Sequence, residues 1–205
     1  MSLEIQLAAP ADAPALTQVF YATFVGDFNR TMFPITPDVT AWWERKFSEE
    51  ARATQAGEGR EVLLKVTGED GAVVAFANWK CPASAADRDL QKHEPEDWAP
   101  SCNKELCEKF FSRMDAEHKE RMGERPHYLA LSMLGVHPSY QGRGLASKLL
   151  KWGLDRADAE GVEAYLSSSP EGKPVYEKYG FKSVYTFSPF PGYLQEVMIR
   201  PVTSQ

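Results

Sequence analysis

Cysteine is scarce in this 205-residue chain, and its three copies, Cys81, Cys102 and Cys107, are odd in number and lack paired metal spacing. That pattern suits free thiols in a reducing compartment better than a disulfide framework. Long apolar runs are also missing, since no segment approaches the roughly 20 residues that a membrane helix needs. The opening stretch MSLEIQLAAPADAP carries acidic residues and no apolar core, so no secretory leader is expected and a cytoplasmic location is the default. An excess of basic residues is absent too, with 23 Lys and Arg against 29 Asp and Glu and a net charge of -6. This argues against a nucleic-acid partner and is compatible with a cationic small molecule or a basic peptide. The four histidines, His93, His118, His127 and His137, show no His-Glu-x-x-His or similar spacing, so no metal centre is expected. Internal repeats and low-complexity runs are lacking.

What is present is the composition of an ordinary globular chain, 43% hydrophobic and 25% charged, with enough length for one sizeable core. Residues 3–7 alternate apolar and polar, as a half-buried strand does. Leu16, Val19, Phe20 and Phe24 lie at three- and four-residue spacing and predict a helix after Pro10. Residues 27–37 read as a loop. A second helix is predicted after Thr36-Pro37-Asp38, with Pro37 in its first turn and Trp42, Trp43 and Phe47 along it. Residues 61–66 and 72–79 flank a Gly-containing turn and predict a hairpin. Residues 81–100 read as a long surface connection, and 103–122 as a charged helix. Together they make 80–126 look like an insertion able to cover a site.

The chain is organised around residues 131–150. An apolar strand ends at His137-Pro138, a turn containing Gly142 and Gly144 follows, and an amphipathic helix begins at Leu145. Amides near a helix start have no intrahelical partner, and the helix dipole favours negative charge there, so this turn predicts a phosphate-bearing ligand. Gly161 stops the helix and 162–166 is the next strand, giving a βαβ unit with parallel strands. A short helix around 175–179, closed by Gly180, and two final strands at 181–187 and 193–200 complete the chain.

Three phosphate loops compete for the turn. A dinucleotide fingerprint fails because Ser147 stands where its third glycine is required. A P-loop fails because Gly172-Lys173 is followed by Pro174. The pattern Gln/Arg-x-x-Gly-x-Gly/Ala is satisfied by Gln141-Gly142-Arg143-Gly144-Leu145-Ala146. With Val136-His137-Pro138-Ser139-Tyr140 before it and Val175-Tyr176-Glu177-Lys178-Tyr179-Gly180-Phe181 after it, this segment resembles the GNAT acyltransferase superfamily. The likeness covers nearly the whole chain, with 80–126 the least typical part.

The resemblance implies an α+β fold in a single domain over 1–205. Its central mixed sheet would be mostly antiparallel, flanked by helices, with the parallel βαβ unit at the cofactor site. It implies acetyl-CoA (coenzyme A) as co-substrate and no metal. Gln141, Gly142, Arg143, Gly144, Leu145, Ala146 and Ser147 would form the pyrophosphate loop. Leu134, Gly135 and Val136 would offer main-chain groups to the pantetheine arm as a further strand would. It also implies N-acetyl transfer to a primary amine of a small molecule or peptide. The general acid for the leaving thiol would be Tyr176, with Tyr179 as its backup. The family's strand carboxylate is missing, because 128–136 contains no Asp or Glu. Water held near Ser167, Ser168 and Ser169, or His127 at the strand start, is what remains for deprotonation. Phe24, Phe28, Phe33, Trp42 and Trp43 could wall an acceptor pocket, though aromatics at these spacings are more often core. A non-catalytic coenzyme A-binding module is the alternative, and monomer and homodimer are both compatible with the sequence.

Overall fold

A computed structural model describes residues 3–57, 61–81, 97–123 and 128–202. The chain runs β1 (Ile5–Leu7), α1 (Ala13–Thr23), α2 (Asp27–Met32), α3 (Pro37–Ala56), β2 (Glu61–Thr67), β3 (Val73–Lys80) and α4 (Lys104–Met122). It continues through β4 (Tyr128–Val136), α5 (Leu145–Glu160), β5 (Glu163–Ser168), α6 (Lys173–Lys178), β6 (Lys182–Phe190) and β7 (Tyr193–Arg200). The strands form one sheet in the order β1-β2-β3-β4-β5-β7-β6. Among the described residues only β4 and β5 pair in parallel; every other neighbouring pair is antiparallel. The parallel pair is the product of the α5 crossover, which a two-residue turn cannot replace.

Strand alternation sends the two side-chain sets to different layers. Leu64, Ala77, Trp79, Leu129, Leu131, Leu166 and Met198 pack with Leu145, Leu149, Leu150 and Leu154 of α5. On the other face, Leu63 and Phe76 pack with α1 and α3, and Tyr128, Tyr165 and Val197 pack with Met122 of α4. The α5 layer sits close to the sheet. A Cβ on Gly153 would stand 2.2 Å from Cε2 of Trp79, whose Nε1 donates to the Leu149 carbonyl at 3.2 Å. Arg200 of β7 anchors both ends of this layer. Its guanidinium grips Asp158 at 2.7 and 2.9 Å and donates from Nε to the Tyr179 carbonyl at 3.0 Å.

Three expectations change. Residues 27–32 are helical, because Phe28 and Met32, one turn apart, both bury against the aromatic core. A single six-residue turn is too short for periodicity to reveal. The expected surface connection over 81–100 is not all surface: Trp98 and Ala99 are buried, and Trp42 Nε1 donates to the Asp97 carbonyl at 2.8 Å. Residues 82–96 and 124–127 lie outside the described residues. Lastly, β6 runs on to Phe190, so the final hairpin turns at 191–192. Pro189 is tolerated there because β6 is an edge strand.

The helix expected over 103–122 is α4, with Asn103 Oδ1 accepting from the Leu106 amide at 3.1 Å. It packs as part of the sheet's second layer, burying Cys107, Glu117 and Met122. All three cysteines are buried, and none is in a disulfide. No described helix is long and apolar enough to cross a membrane.

Candidate active site

The βαβ unit contains a parting between its two strands. β4 and β5 are paired only over Tyr128–Leu131 and Glu163–Leu166. Beyond Leu131, β4 stays with β3 as far as Val136, while β5 stays with β7 through Ser168. The β5-facing edge of Ser132, Met133, Leu134, Gly135 and Val136 is therefore open. A bulge starts the divergence: β3 pairs Asn78 with Met133 and then Trp79 with Leu131, leaving Ser132 as the extra residue. Its hydroxyl donates to the Asn78 carbonyl at 3.0 Å. A bulge bends its strand and increases the local twist, which carries β4 away from β5.

The glycine turn lies at the exit of this opened strand. Gly142 and Gly144 have φ of 75° and 78°, with nothing within 4 Å of where a Cβ would stand. Their glycines are thus required by backbone handedness and not by crowding within the protein. The first intrahelical bond of α5 runs from the Lys148 amide to the Gly144 carbonyl at 3.0 Å. The amides of Leu145, Ala146 and Ser147 therefore have no intrahelical acceptor, and no side chain caps this helix start. Leu145 is buried in the α5 core and fixes the first turn against the sheet.

Each expected loop residue has a definite place. Gln141 folds back, its side-chain amide donating to the Val136 carbonyl at 3.2 Å, and so ties the turn to the strand end. The Arg143 guanidinium lies 4.7 Å from the centroid of the Tyr140 ring, donates to the Ser139 carbonyl at 3.3 Å, and is exposed. Gly135 has the Phe76 ring where its Cβ would be, 2.6 Å away, so this glycine also serves the opposite layer.

Tyr176 sits on α6 at the rim of the parting, on the α5 side of the sheet. Its ring and Ser168 Oγ lie 2.9 and 3.2 Å from where a Cβ on Gly172 would stand. The ring packs edge-on to Phe181 with centroids 6.0 Å apart. Burial pushes its phenol up to about 12, so it carries its proton throughout the neutral range. Tyr179 packs into the same cluster, its carbonyl taken by Arg200.

On the opposite face of the parting lies a hydrogen-bonded chain that no sequence motif marks. Tyr193 donates to Gln195 Oε1 at 2.9 Å, Gln195 Nε2 donates to Ser167 Oγ at 2.8 Å, and Ser167 donates to Met114 Sδ at 3.3 Å. Its one sequence signal is Gln195, a polar residue in phase with the inward-facing Val197 and Ile199 of β7. Ser168 donates to the Ser169 carbonyl at 2.7 Å where β5 ends. His118 meets the Tyr128 hydroxyl at 2.8 Å, and burial together with nearby Lys80 lowers it to about 4, leaving it neutral. His127 lies outside the described residues. Among the described residues no cluster could hold a metal. An open groove of about 560 Å³ lies beside α1 and the strand exit, lined by Gln18, Tyr21, Arg30, Val73 and His137 among others.

The family model of the acetyltransferase (GNAT) domain matches residues 116–188, which span the opened strand, the glycine turn and α6. A mycothiol acetyltransferase of Streptomyces coelicolor is 30% identical over 141 residues, 60% of this chain and 43% of its own length. The chain thus spans under half the length of that curated relative. Among solved structures, a polyamine N-acetyltransferase of Drosophila melanogaster superposes with a TM-score of 0.67 at 13% identity, covering 97% of this chain and 99% of its own. A PaiA N-acetyltransferase of Thermoplasma acidophilum in complex with coenzyme A gives 0.59 at 16%, covering 98% and 99%. The parted β4–β5 edge, the uncapped α5 start and α6 all fall within the residues that match the acetyltransferase (GNAT) domain.

Proposed function

We propose that this protein is an acetyl-CoA-dependent N-acyltransferase that moves an acetyl group directly to a primary amine of a small molecule or peptide. The observation that carries the reading is the open β4 edge running into the uncapped start of α5. An extended amide chain pairs with an unpaired strand edge, and a diphosphate suits unpaired helix amides, so the two features together fit coenzyme A. The coenzyme A complex of a fold relative and the acetyltransferase names of the similar proteins support the same choice. When bound, acetyl-CoA supplies an activated thioester.

The chain's own residues then divide the work. The amides from Gly142 to Ser147 receive the phosphates, and the β4 edge from Leu134 to Val136 pairs with the pantetheine. The C–N bond forms as the C–S bond breaks, with the amine's proton passing to water because β4 carries no carboxylate. Tyr176 holds the proton for the departing sulfur, being neutral at pH 7 and beside the end of β5.

Acetyl-CoA is expected to raise the melting temperature with increasing concentration by mass action. The absence of any rise at saturation refutes the cofactor assignment. Tyr176→Phe is expected to lower kcat about 10-fold or more while leaving acetyl-CoA binding intact. An unchanged kcat removes Tyr176 as the acid. The missing β4 carboxylate favours one second reading, a coenzyme A-binding module without turnover. Thiol release with an amine panel separates the two.

A further inference from the structure

The chain Tyr193–Gln195–Ser167 holds a serine oxygen in a fixed place where the two strands part. Ser167 is the first β5 residue past the last β4–β5 pair, Leu131 with Leu166, so it stands at the vertex of the parting. By strand alternation it faces the α4 side, away from α5. Its hydroxyl accepts from Gln195, which is only 6% exposed, and spends its own proton on the Met114 thioether. A thioether is a weak acceptor, and one Oγ lone pair is left over. At its Tyr193 end this chain runs into an aromatic cluster. Phe28 stacks on Tyr193 at 4.4 Å and meets Phe110 at 5.1 Å and Phe190 at 5.9 Å, while Met133 packs against the same cluster.

We infer that this face of the parting takes a primary amine carried on an uncharged apolar body, aromatic or branched aliphatic, with Ser167 orienting the amine nitrogen. The inference rests on the acyl-transfer reading above. Ser167 would accept one amine N–H through its remaining lone pair, which turns the nitrogen lone pair toward the opened β4 edge. Gln195 and Tyr193 are positioning residues that hold the Ser167 oxygen in place. Among the described residues, the chain Tyr193–Gln195–Ser167–Met114 itself contains no ionised group, and the buried Glu117, one turn along α4 from Met114, is already paired with Arg113 at 2.6 Å and Arg121 at 3.1 Å. Glu171, which acts on Tyr193 at a distance, is exposed at the turn before α6. Glu196, the next residue along β7, alternates to the other face and is held by Lys173 at 2.9 Å. A second ammonium on the acceptor would therefore lose water without meeting a carboxylate in the anchor, whereas an apolar body gains from burial.

The test measures thiol release by the full chain at saturating acetyl-CoA, using 2-phenylethylamine and isoamylamine against putrescine and spermidine. The apolar amines are expected to exceed the polyamines in kcat/KM by about 10-fold or more. Polyamines equal to or better than the apolar amines overturn the inference. Ser167→Ala, and Tyr193→Phe, which keeps the ring stack, are each expected to raise KM for 2-phenylethylamine by about 5–20-fold with KM for acetyl-CoA unchanged. No change, or equal change in both KM values, overturns the orienting role. If acetyl-CoA raises the melting temperature but none of the four amines releases thiol, the acceptor inference fails and the cofactor reading stands. If acetyl-CoA produces no rise, the cofactor reading itself fails.

Discussion

Replacing Glu50 by glutamine removes a carboxyl that the fold keeps in an unfavourable place. Glu50 lies on α3 with Oε2 buried and unpartnered, although other atoms of the residue reach solvent. Its neighbour Asn78, on β3, likewise has an unpartnered buried Oδ1. Burial, reinforced by Glu61 and opposed by Lys80, Asn78 and Lys46, raises the carboxyl from an ordinary 4.5 to about 8. The native state therefore keeps a proton that the unfolded chain has lost, across the window from 4.5 to about 8. Stability falls as pH rises through that window and levels off above it, because the native state there binds more protons than the unfolded state. The contribution of the neutral carboxyl is thus complete below 4.5 and gone above about 8. At about 1.4 kcal/mol per pH unit, the loss is roughly 3 kcal/mol at pH 7 and on the order of 4–5 kcal/mol above pH 8. Glutamine has the same shape, never ionises, and offers an N–H to the Asn78 oxygen. The assay is urea unfolding of both proteins at pH 5 and pH 8.5, since the difference between them cancels every other titrating group. Nearly equal stability at pH 5, and a Glu50→Gln variant more stable by roughly 3 kcal/mol or more at pH 8.5, is the expected outcome. A gap that does not widen with pH, or a variant less stable at pH 8.5, refutes a buried neutral Glu50.

Further substitutions test the layer that carries the cofactor loop. Gly153→Ala drives a methyl into the Trp79 ring, which the Leu149 carbonyl pins, and is expected to cost about 1–3 kcal/mol in urea unfolding. An unchanged midpoint refutes the close approach of α5 to the sheet. Gly144→Ala forces a φ of 78° on a residue with a Cβ and is expected to cost about 1–2 kcal/mol of stability. It is also expected to weaken acetyl-CoA binding in calorimetric titration, and unaltered affinity counts against the loop as the phosphate site. Arg200→Met breaks the Asp158 pair and the bond to Tyr179, and is expected to destabilise by about 1–3 kcal/mol. No loss in urea unfolding refutes its anchoring role.

The βαβ unit was legible from the sequence because its instructions are local. Pro138 ends a ladder, Gly144 turns the chain, Leu145, Leu149 and Leu150 mark one helix face, and Gly161 closes it. Other features were hidden for physical reasons. α2 has a single turn, so Phe28 and Met32 show no period, and their burial depends on α4 and the β6–β7 hairpin arriving beside them. Trp98 sits in a polar-looking stretch, and only the distant Trp42, Phe33 and Phe111 explain its burial. Glu50 falls in an ordinary amphipathic helix, and nothing in its neighbours along the chain signals a buried carboxyl.

By itself, the sequence determined the order of elements (α2 apart), the glycine turn and the uncapped helix behind it, because turn chemistry and side-chain period act between near neighbours. Tertiary structure decided where β4 and β5 part, since that point depends on a bulge at Ser132 in register with β3, a strand far upstream in the chain. It alone joined Tyr193, Gln195, Ser167 and Met114 into one chain, drawing on two strands and a helix. Contacts of that range depend on the closing of the sheet, and no local pattern encodes them.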